Sequence, residues 1–498
     1  RDRLRSRGLG DVYKRQLFLC AGILTPKEML EGFSNKGMIT VALLFLVSEG
    51  IRQSGTLGQV IKKLLPQGKT TVFKAQLRIL PSVAFISAFL NNTPVVVIFA
   101  PIIKHWAKSV NLPATKFLIP LSYVTILGGI CTLIGTSTNL VVHGMILEAG
   151  FEGFSMFELG KVGIFIAIAG IIYIFLFSKR LLPDARPDTA VPDEEVEEGE
   201  KLHRVEAVLG ARFPGINKKL KDFNFQRHYG AEVKEIKTRN GQRFVSNLEE
   251  VVLHEGDTLV VMADDTFIPT WGESSVFVLL TNGNEPDTTG KKKRWFALLL
   301  LVLMIVGATV GELPVTKEMF PDIKLDMFFF VSITTIIMAW TNLFPARKYT
   351  KYISWDILIT IACAFAISKA MVNSGVADSV AKFIIGLSDD YGPHVLLAMV
   401  FIITNLFTEL ITNNAAAALA FPLALSISAQ LGVSPTPFFV VICMAASASF
   451  STPIGYQTNL IVQGIGNYKF TDFVRIGLPL NIITFLISII LIPLIWNF

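Results

Sequence analysis

Charge is what this sequence has least of. Only 17% of its 498 residues are Asp, Glu, Lys or Arg, against about 25% in an ordinary soluble domain. Metal-binding side chains are as scarce. The four cysteines, Cys20, Cys131, Cys363 and Cys443, lie far apart in apolar stretches, without metal-ligand spacing or a disulfide framework. Six histidines are scattered. The phosphate-cradling pattern G-x-x-x-x-G-K-[ST] is absent, which excludes an ATP-driven pump within this chain. No paired carboxylates, histidines or cysteines stand together in the apolar stretches, so no catalytic residue is assigned and a membrane-embedded enzyme is disfavoured.

What the sequence has instead is apolar length. Hydrophobic residues make up 52% of it, and the mean hydropathy is +0.54. Runs such as "VGIFIAIAGIIYIFLF" (162–177), "WFALLLLVLMIVGATV" (295–310) and "IITFLISIILIPLIW" (482–496) reach membrane-crossing length with their flanks. The net charge of +6 is no nucleic-acid signal, because much of it sits beside the spans. Lys179 and Arg180 end one run, and Lys291, Lys292, Lys293 and Arg294 precede the next. That bias places the intervening segment, 183–290, in the cytoplasm and the chain in a cell inner membrane as a multi-pass protein.

Composition divides the chain further. Residues 1–16, "RDRLRSRGLGDVYKRQ", are Arg-rich and unlike the rest, and read as a non-native end. Residues 17–182 are apolar and open on what looks like the tail of a truncated helix. Residues 183–202 form a Pro-rich acidic linker. Residues 203–290 read as a small α/β module, with "AEVKEIKTR" alternating like a strand, a turn signal at Asn240–Gly241, and "EGDTLVVMA" as turn then strand. Residues 291–498 are apolar again.

The two apolar parts repeat each other. "LVSEGIRQSG" (46–55) matches "AISKAMVNSG" (366–375), and "CTLIGTSTNLVVHG" (131–144) matches "STPIGYQTNLIVQG" (451–464), both at an offset of 320. Between them, "SAFLNNTPVVVIFAP" (87–101) faces "TELITNNAAAALAFP" (408–422). An offset of 321 aligns Asn92 with Asn413 and Pro101 with Pro422, while 322 aligns both Asn pairs and loses the proline. Two repeats with polar interruptions at matching places fit a secondary transporter whose site is built from broken helices near the midplane. The fold expected is an α-helical polytopic membrane protein, with two inverted repeats, re-entrant hairpins and broken helices, plus the small cytoplasmic α/β domain.

Backbone at membrane depth survives unhelical only where protein buries it or it lines a cavity. Free N–H groups at a broken helix suit an anion. Asn, Thr and Ser oxygens with freed carbonyls suit a small cation, and Gly135 and Gly455 permit the bend. The plainer reading, polar residues gluing helices together, is outweighed at Asn92, Asn413, Asn139 and Asn459 by their duplication. Glu49, Lys369 and Glu409 are ionisable groups within apolar stretches and hence functional candidates. Glu49 and Lys369 occupy equivalent repeat positions, which suggests a pair across the pseudo-symmetry axis or a structural salt bridge.

The paired Asn-Thr hairpins and the "G-T-x-x-N" breaks resemble the divalent-anion/sodium symporter family of the ion-transporter superfamily, particularly its sulfate permeases. The stretch "FPGINKKLKDFNFQRHYGAEVKEIKTRNGQRF", followed by "LHEGDTLVVMAD", is similar to a TrkA carboxy-terminal (RCK-C) domain. The family signature is Ser-Asn-Thr in both hairpins. Here Asn91-Asn92-Thr93 and Thr412-Asn413-Asn414 keep the central Asn. The resemblance implies ion-binding roles for Ser87, Asn91, Asn92 and Gly135 at one sodium site, and for Thr408, Asn413 and Ser451 at another. It implies substrate contacts at Thr93, Thr136, Asn414, Thr452 and Pro453, joined by the duplicated Asn139 and Asn459. The activity implied is alternating-access transport of a divalent oxyanion, foremost sulfate, coupled to sodium or protons. A dicarboxylate symporter and a sulfur-status sensor are the alternatives. Sodium as coupling ion is the only metal expected, and no cofactor is. Expected partners are a small inorganic or organic dianion, membrane lipid, a second copy of the chain and a small regulatory ligand at the module. A potassium channel is excluded, since the T-V-G-Y-G filter is missing.

Overall fold

The computed structural model describes residues 16–184, 203–281 and 291–498, apart from 211–212, 239–241, 265–266, 268–270, 272–275, 320–322, 346, 348 and 387–391. Most of the basic end, most of the acidic linker and the Asn240–Gly241 turn therefore lie outside the described residues.

Long apolar stretches with few charges form helices, because only helices satisfy their own backbone groups in hydrocarbon. The first repeat holds α1 (Lys36–Gln53), α2 (Thr56–Leu64), α3 (Val72–Ser87), α4 (Asn92–Ser109), α5 (Leu118–Gly129), α6 (Ser137–Glu148) and α7 (Gly160–Leu181). A five-stranded antiparallel sheet follows, with β1 (His203–Leu209), β2 (Glu232–Lys237), β3 (Arg243–Phe244), β4 (Thr258–Ala263) and β5 (Phe277–Thr281) in the order β3-β2-β4-β1-β5. Then come α8 (Lys291–Gly311) and α9 (Met327–Trp340). The second repeat holds α10 (Trp355–Asn373), α11 (Val376–Gly386), α12 (Gly392–Leu410), α13 (Asn413–Leu431), α14 (Thr436–Ser447), α15 (Gln457–Gly466) and α16 (Phe470–Ile495). The order of α1 to α7 recurs, helix for helix, in α10 to α16.

Among the described residues, six helices are long and apolar enough to cross a membrane, or seven if the pair α10–α11, bent by 71°, counts as one span. The bend has a local cause. Gly375 takes φ +72°, and Gly55 takes φ +68° at the equivalent break between α1 and α2, a left-handed backbone that other residues rarely adopt. The chain is a multi-pass helical membrane protein carrying a small sheet.

The repeats pack reciprocally. Helix α4 lies against α15 as α13 lies against α6, and α5 lies against α15 as α14 lies against α6. Reciprocal packing of this kind is what a two-fold relation between repeats produces. The pair anticipated between Glu49 and Lys369 does not form. Glu49 instead accepts from Arg52 and Gln53, each at 2.6 Å, because Arg52 sits within one helical turn on its own helix.

The sheet has its own apolar core, around Phe213, Phe223, Phe225, Ile236, Leu259 and Phe277. It is not loosely tethered, for Val208 of β1 belongs to the core of the membrane part. Lys104 near the end of α4 donates to both carboxylate oxygens of Glu206 on β1 at 2.9 Å. Lys237 of β2 reaches the same carboxylate at 3.4 Å. On the other side, Gly256 lies against Leu460 and Thr258 against Gly464, both of α15. Burial alone would raise the Glu206 carboxyl, but Lys104 and Lys237 override it and hold it at about 2.

Because the folded carboxyl is depressed, its stabilisation is complete above the ordinary value of 4.5 and is lost as pH falls towards about 2. Docking of the sheet is therefore expected to be insensitive to pH near neutrality. Glu206→Gln leaves two ammonium groups without a counter-charge and should weaken docking by about 2 kcal/mol. Limited proteolysis of the purified chain checks this through faster release of the sheet module, and adding Lys104→Met should recover part of the loss.

Candidate functional site

Two helix pairs, α3–α4 and α12–α13, turn at membrane depth through Asn-rich corners. In the first, Ser87 Oγ donates to Asn92 Oδ1 at 2.8 Å and to the Thr125 carbonyl at 2.9 Å. In the second, Thr408 Oγ1 donates to Asn413 Oδ1 at 2.8 Å and to the Ala446 carbonyl at 2.6 Å. All three pairs of equivalent atoms stand 321 residues apart, which settles the register left open between 321 and 322. All four side chains are buried, so these bonds are needed to satisfy them.

The breaks between α5 and α6 and between α14 and α15 are tied in the same duplicated way. Thr132 Oγ1 donates to the Ala88 carbonyl and accepts from the Gly135 N–H at 3.1 Å. Thr452 Oγ1 donates to the Glu409 carbonyl and accepts from the Gly455 N–H, both at 3.3 Å. Asn139 Nδ2 donates back to Thr132 O at 2.9 Å, and Asn459 Nδ2 to Thr452 O at 3.1 Å. Each Asn thus clamps the break that precedes its helix. Gly135 is held to glycine by space, since a Cβ there would lie 2.5 Å from the Gly129 carbonyl oxygen.

The hairpins and breaks converge. Asn92 Nδ2 donates to the Tyr456 hydroxyl at 2.6 Å, and Thr136 Oγ1 lies 3.0 Å from that hydroxyl. Asn413 addresses the same hydroxyl. Thr136 and Tyr456 are 320 residues apart, so equivalent positions touch each other, as they must on a pseudo-two-fold axis. Thr93 Oγ1 donates to Gln457 Oε1 at 3.4 Å, and Ser137 and Thr138 both donate to Asn414 Oδ1 at 3.3 Å. The first turns of α4, α6, α13 and α15 therefore meet at one place. Three of their N-cap residues, Asn91, Thr136 and Tyr456, make no side-chain cap bond, and only Thr412 caps its helix. Three helix ends thus aim uncapped N–H groups and positive dipole ends at the junction.

The anticipated site residues accordingly fall into groups. Ser87, Asn92, Thr408 and Asn413 pin the hairpins, while Thr93, Thr136 and Asn414 join the repeats. Asn91 lies beside a small void shared with Ser48 and Ser137. Ser451 stands apart from Thr408 and Asn413, its N–H donating to Glu409 Oε1 at 2.9 Å. Pro453 is buried within the second break. Asn459 is fully engaged, since its Nδ2 also reaches Ser449 O at 2.8 Å and its Oδ1 accepts from Ser122 at 2.7 Å. Tyr456, Gln457 and Ser122 escaped the sequence reading. Tyr456 was visible in the repeat alignment as the residue standing opposite Thr136.

Two repeats, paired hairpins and paired breaks around one polar junction agree with the comparisons to known proteins. The chain matches the citrate-transporter family, CitMHS, over residues 16–428 and again over 323–497. It belongs to that family. This CitMHS member is therefore a membrane transporter and not an enzyme. It is 30% identical to an uncharacterized transporter of Synechocystis sp., over 97% of this chain and 92% of that protein. It is 28% identical to a putative sulfur deprivation response regulator of Chlamydomonas reinhardtii, over 95% of each. A probable sodium/sulfate cotransporter of the same alga is 23% identical over 92% of this chain and 82% of its own length.

The duplication in this CitMHS chain is imperfect in a way that leaves a mark. Asn139 Oδ1 is buried without a partner, whereas its equivalent in Asn459 accepts from Ser122. In the register that pairs Thr125 with Ala446, Cys443 takes the place of Ser122, and a thiol is a weak donor. Cys443→Ser should supply the missing donor and stabilise the transporter by about 1 kcal/mol. A raised thermal midpoint of the purified protein would show it, and an unchanged or lowered one would reject the pairing.

Proposed function

We propose that this chain is a secondary transporter of a divalent oxyanion, foremost sulfate, driven by sodium. The observation that carries this reading is the meeting of four helix first turns, three of them uncapped, at a junction lined by neutral hydrogen-bonding side chains. Such a junction offers donors and positive dipole ends to an anion, and has no carboxylate at its centre to repel one. A dianion there would be held by the N–H groups opening α4, α6 and α15, with Thr93, Thr136, Asn414 and Tyr456 supplying hydroxyl and amide contacts.

Small cations suit the flanks. Ser87 Oγ, Asn92 Oδ1 and the Thr125 carbonyl lie within 2.8–2.9 Å of one another along their bonds. The Thr408, Asn413 and Ala446 oxygens repeat that cluster. A sodium ion at each would neutralise the dianion and make its binding depend on sodium. Alternating access follows if the junction is exposed to each side in turn while the repeats move about their shared axis. Relatives named sodium/sulfate cotransporters in Chlamydomonas reinhardtii favour sulfate, and the family's own description favours a carboxylate.

A second reading rests on the docked sheet, which we take, by its resemblance to a TrkA carboxy-terminal module, to lie on the cytoplasmic side. It grips α4 and α15, whose first turns build the junction. A ligand bound by the sheet could thereby bias transport, and one relative is named a sulfur deprivation response regulator.

Uptake of radiolabelled sulfate into cells lacking their own sulfate importers tests the main reading. Sodium-dependent uptake that excess succinate or citrate leaves unchanged is the expected result. Asn92→Ala with Asn413→Ala should abolish it, at least about a hundredfold, while surface expression is maintained. Uptake of labelled succinate or citrate with no sulfate uptake would replace sulfate by a carboxylate.

A further inference from the structure

The two repeats differ at one cluster, and the difference is electrical. Glu409 ends α12 beside the second hairpin. Its Oε1 accepts from the Ser451 N–H at 2.9 Å and from Asn481 Nδ2 at 2.8 Å, and its Oε2 accepts from Ser449 Oγ at 3.4 Å. Asn481 Nδ2 also donates to Ser451 Oγ at 2.9 Å. The carboxylate makes no ion pair among the described residues, although it lies within the membrane part. An unpaired charge at such depth is costly and marks function by default.

The first repeat has nothing equivalent. Thr132 and Thr452 donate to the carbonyls of Ala88 and Glu409, so Ala88 stands where Glu409 does. Gly163 packs on Ile130 and Cys131 as Gly477 packs on Phe450 and Ser451. That equivalence puts Cys131 opposite Ser451 and, four residues along the last helix, Ala167 opposite Asn481. Three polar groups of the second repeat thus face an alanine, a cysteine and an alanine in the first.

A second observation points to a ligand. Asn481 is 7% exposed, and its Oδ1 is buried without a partner. The two ends of an amide exchange places by a half-turn about its last torsion. With that turn Oδ1 stands beside Glu409 Oε1 and Ser451 Oγ, and the cluster becomes three converging oxygens bearing one negative charge. Oxygen donors with a single carboxylate suit a hard monovalent cation and leave it free to dissociate.

We propose that Glu409, Ser451 and Asn481 form a sodium site peculiar to the second repeat, so that the two halves of the transporter bind their coupling ions unequally. This rests on the sodium-coupled reading above and deepens it. The second hairpin would bind its ion more tightly, because a carboxylate lies next to Thr408, and would fill first. Charge on one side only gives an order to what an exact duplication would leave equivalent.

The test needs no anion, so its failure is separable from failure of the sulfate reading. The purified full chain in lipid nanodiscs is titrated with sodium chloride, choline chloride keeping the ionic strength constant, and the thermal midpoint is followed. Wild type should be stabilised saturably by sodium. Glu409→Gln keeps an acceptor and the shape but removes the charge, and should raise half-saturating sodium by about tenfold or more, equivalent to about 1.4 kcal/mol. Asn481→Ala should shift it in the same direction by less, and decides the matter if Glu409→Gln does not fold. Half-saturating sodium equal to wild type in the folded variants overturns the proposal and leaves Glu409 as a structural latch. So does a wild-type midpoint that follows pH and ignores sodium.

Discussion

A helix that stops inside a membrane leaves N–H groups or carbonyls unpaired, and no water is at hand to take them. This transporter has four such stops, and most of its organisation follows from satisfying them. Each hairpin corner is closed by one hydroxyl that serves both the following Asn and a carbonyl of the neighbouring helix. Each break is closed by a threonine at its start and an asparagine just beyond it. Only after these demands are met do uncapped N–H groups remain, and they remain where the repeats meet. The polar junction is thus the residue of a backbone problem solved twice.

The same helices carry the consequence outward. Helix α4 starts at the junction with Asn92 and presents Lys104 to the sheet twelve residues on, about 18 Å away at 1.5 Å per residue. Helix α15 starts at Gln457 and meets the sheet at Leu460 and Gly464. A rigid-body shift of either helix during transport must therefore move the sheet or break its contacts. A buried ion pair on one side and close glycine packing on the other make the first outcome cheaper, since leaving Lys104 and Lys237 without Glu206 exposes an uncompensated charge.

Much of this was legible in the sequence, for a physical reason. Asn92, Asn413 and the G-x-x-x-N breaks recur because the same backbone demand recurs, and a recurring demand leaves a recurring pattern. Span positions followed from apolar length alone. What sequence could not supply was contact between elements. Glu49 and Lys369 share a repeat position, yet Arg52, a turn away, captured Glu49. Tyr456 aligned with Thr136 as a mere substitution, while the structure puts both hydroxyls on the axis and in contact. Asn481 was hidden by a change of register. The segment between α15 and α16 is shorter than that between α6 and α7. The last helices therefore align 314 residues apart, at Gly163 and Gly477, where the earlier blocks align at 320 or 321.

Where the repeats diverge is more telling than where they agree. An exact pseudo-two-fold would present the same oxygens and the same charge to each side of the junction, and neither side would have a reason to act first. The observed departures are few and concentrate near the junction. Tyr456 replaces Thr136 on the axis, Cys443 replaces Ser122 and strands Asn139 Oδ1, and Glu409, Ser451 and Asn481 replace Ala88, Cys131 and Ala167. Peripheral packing, by contrast, stays matched down to the prolines inside α4 and α13, Pro101 and Pro422. Divergence confined to the polar groups, on a scaffold that keeps its helix order and packing, separates the two tasks of the duplication. The repeated backbone holds broken helices open at membrane depth, and the unrepeated side chains give the two halves different affinities.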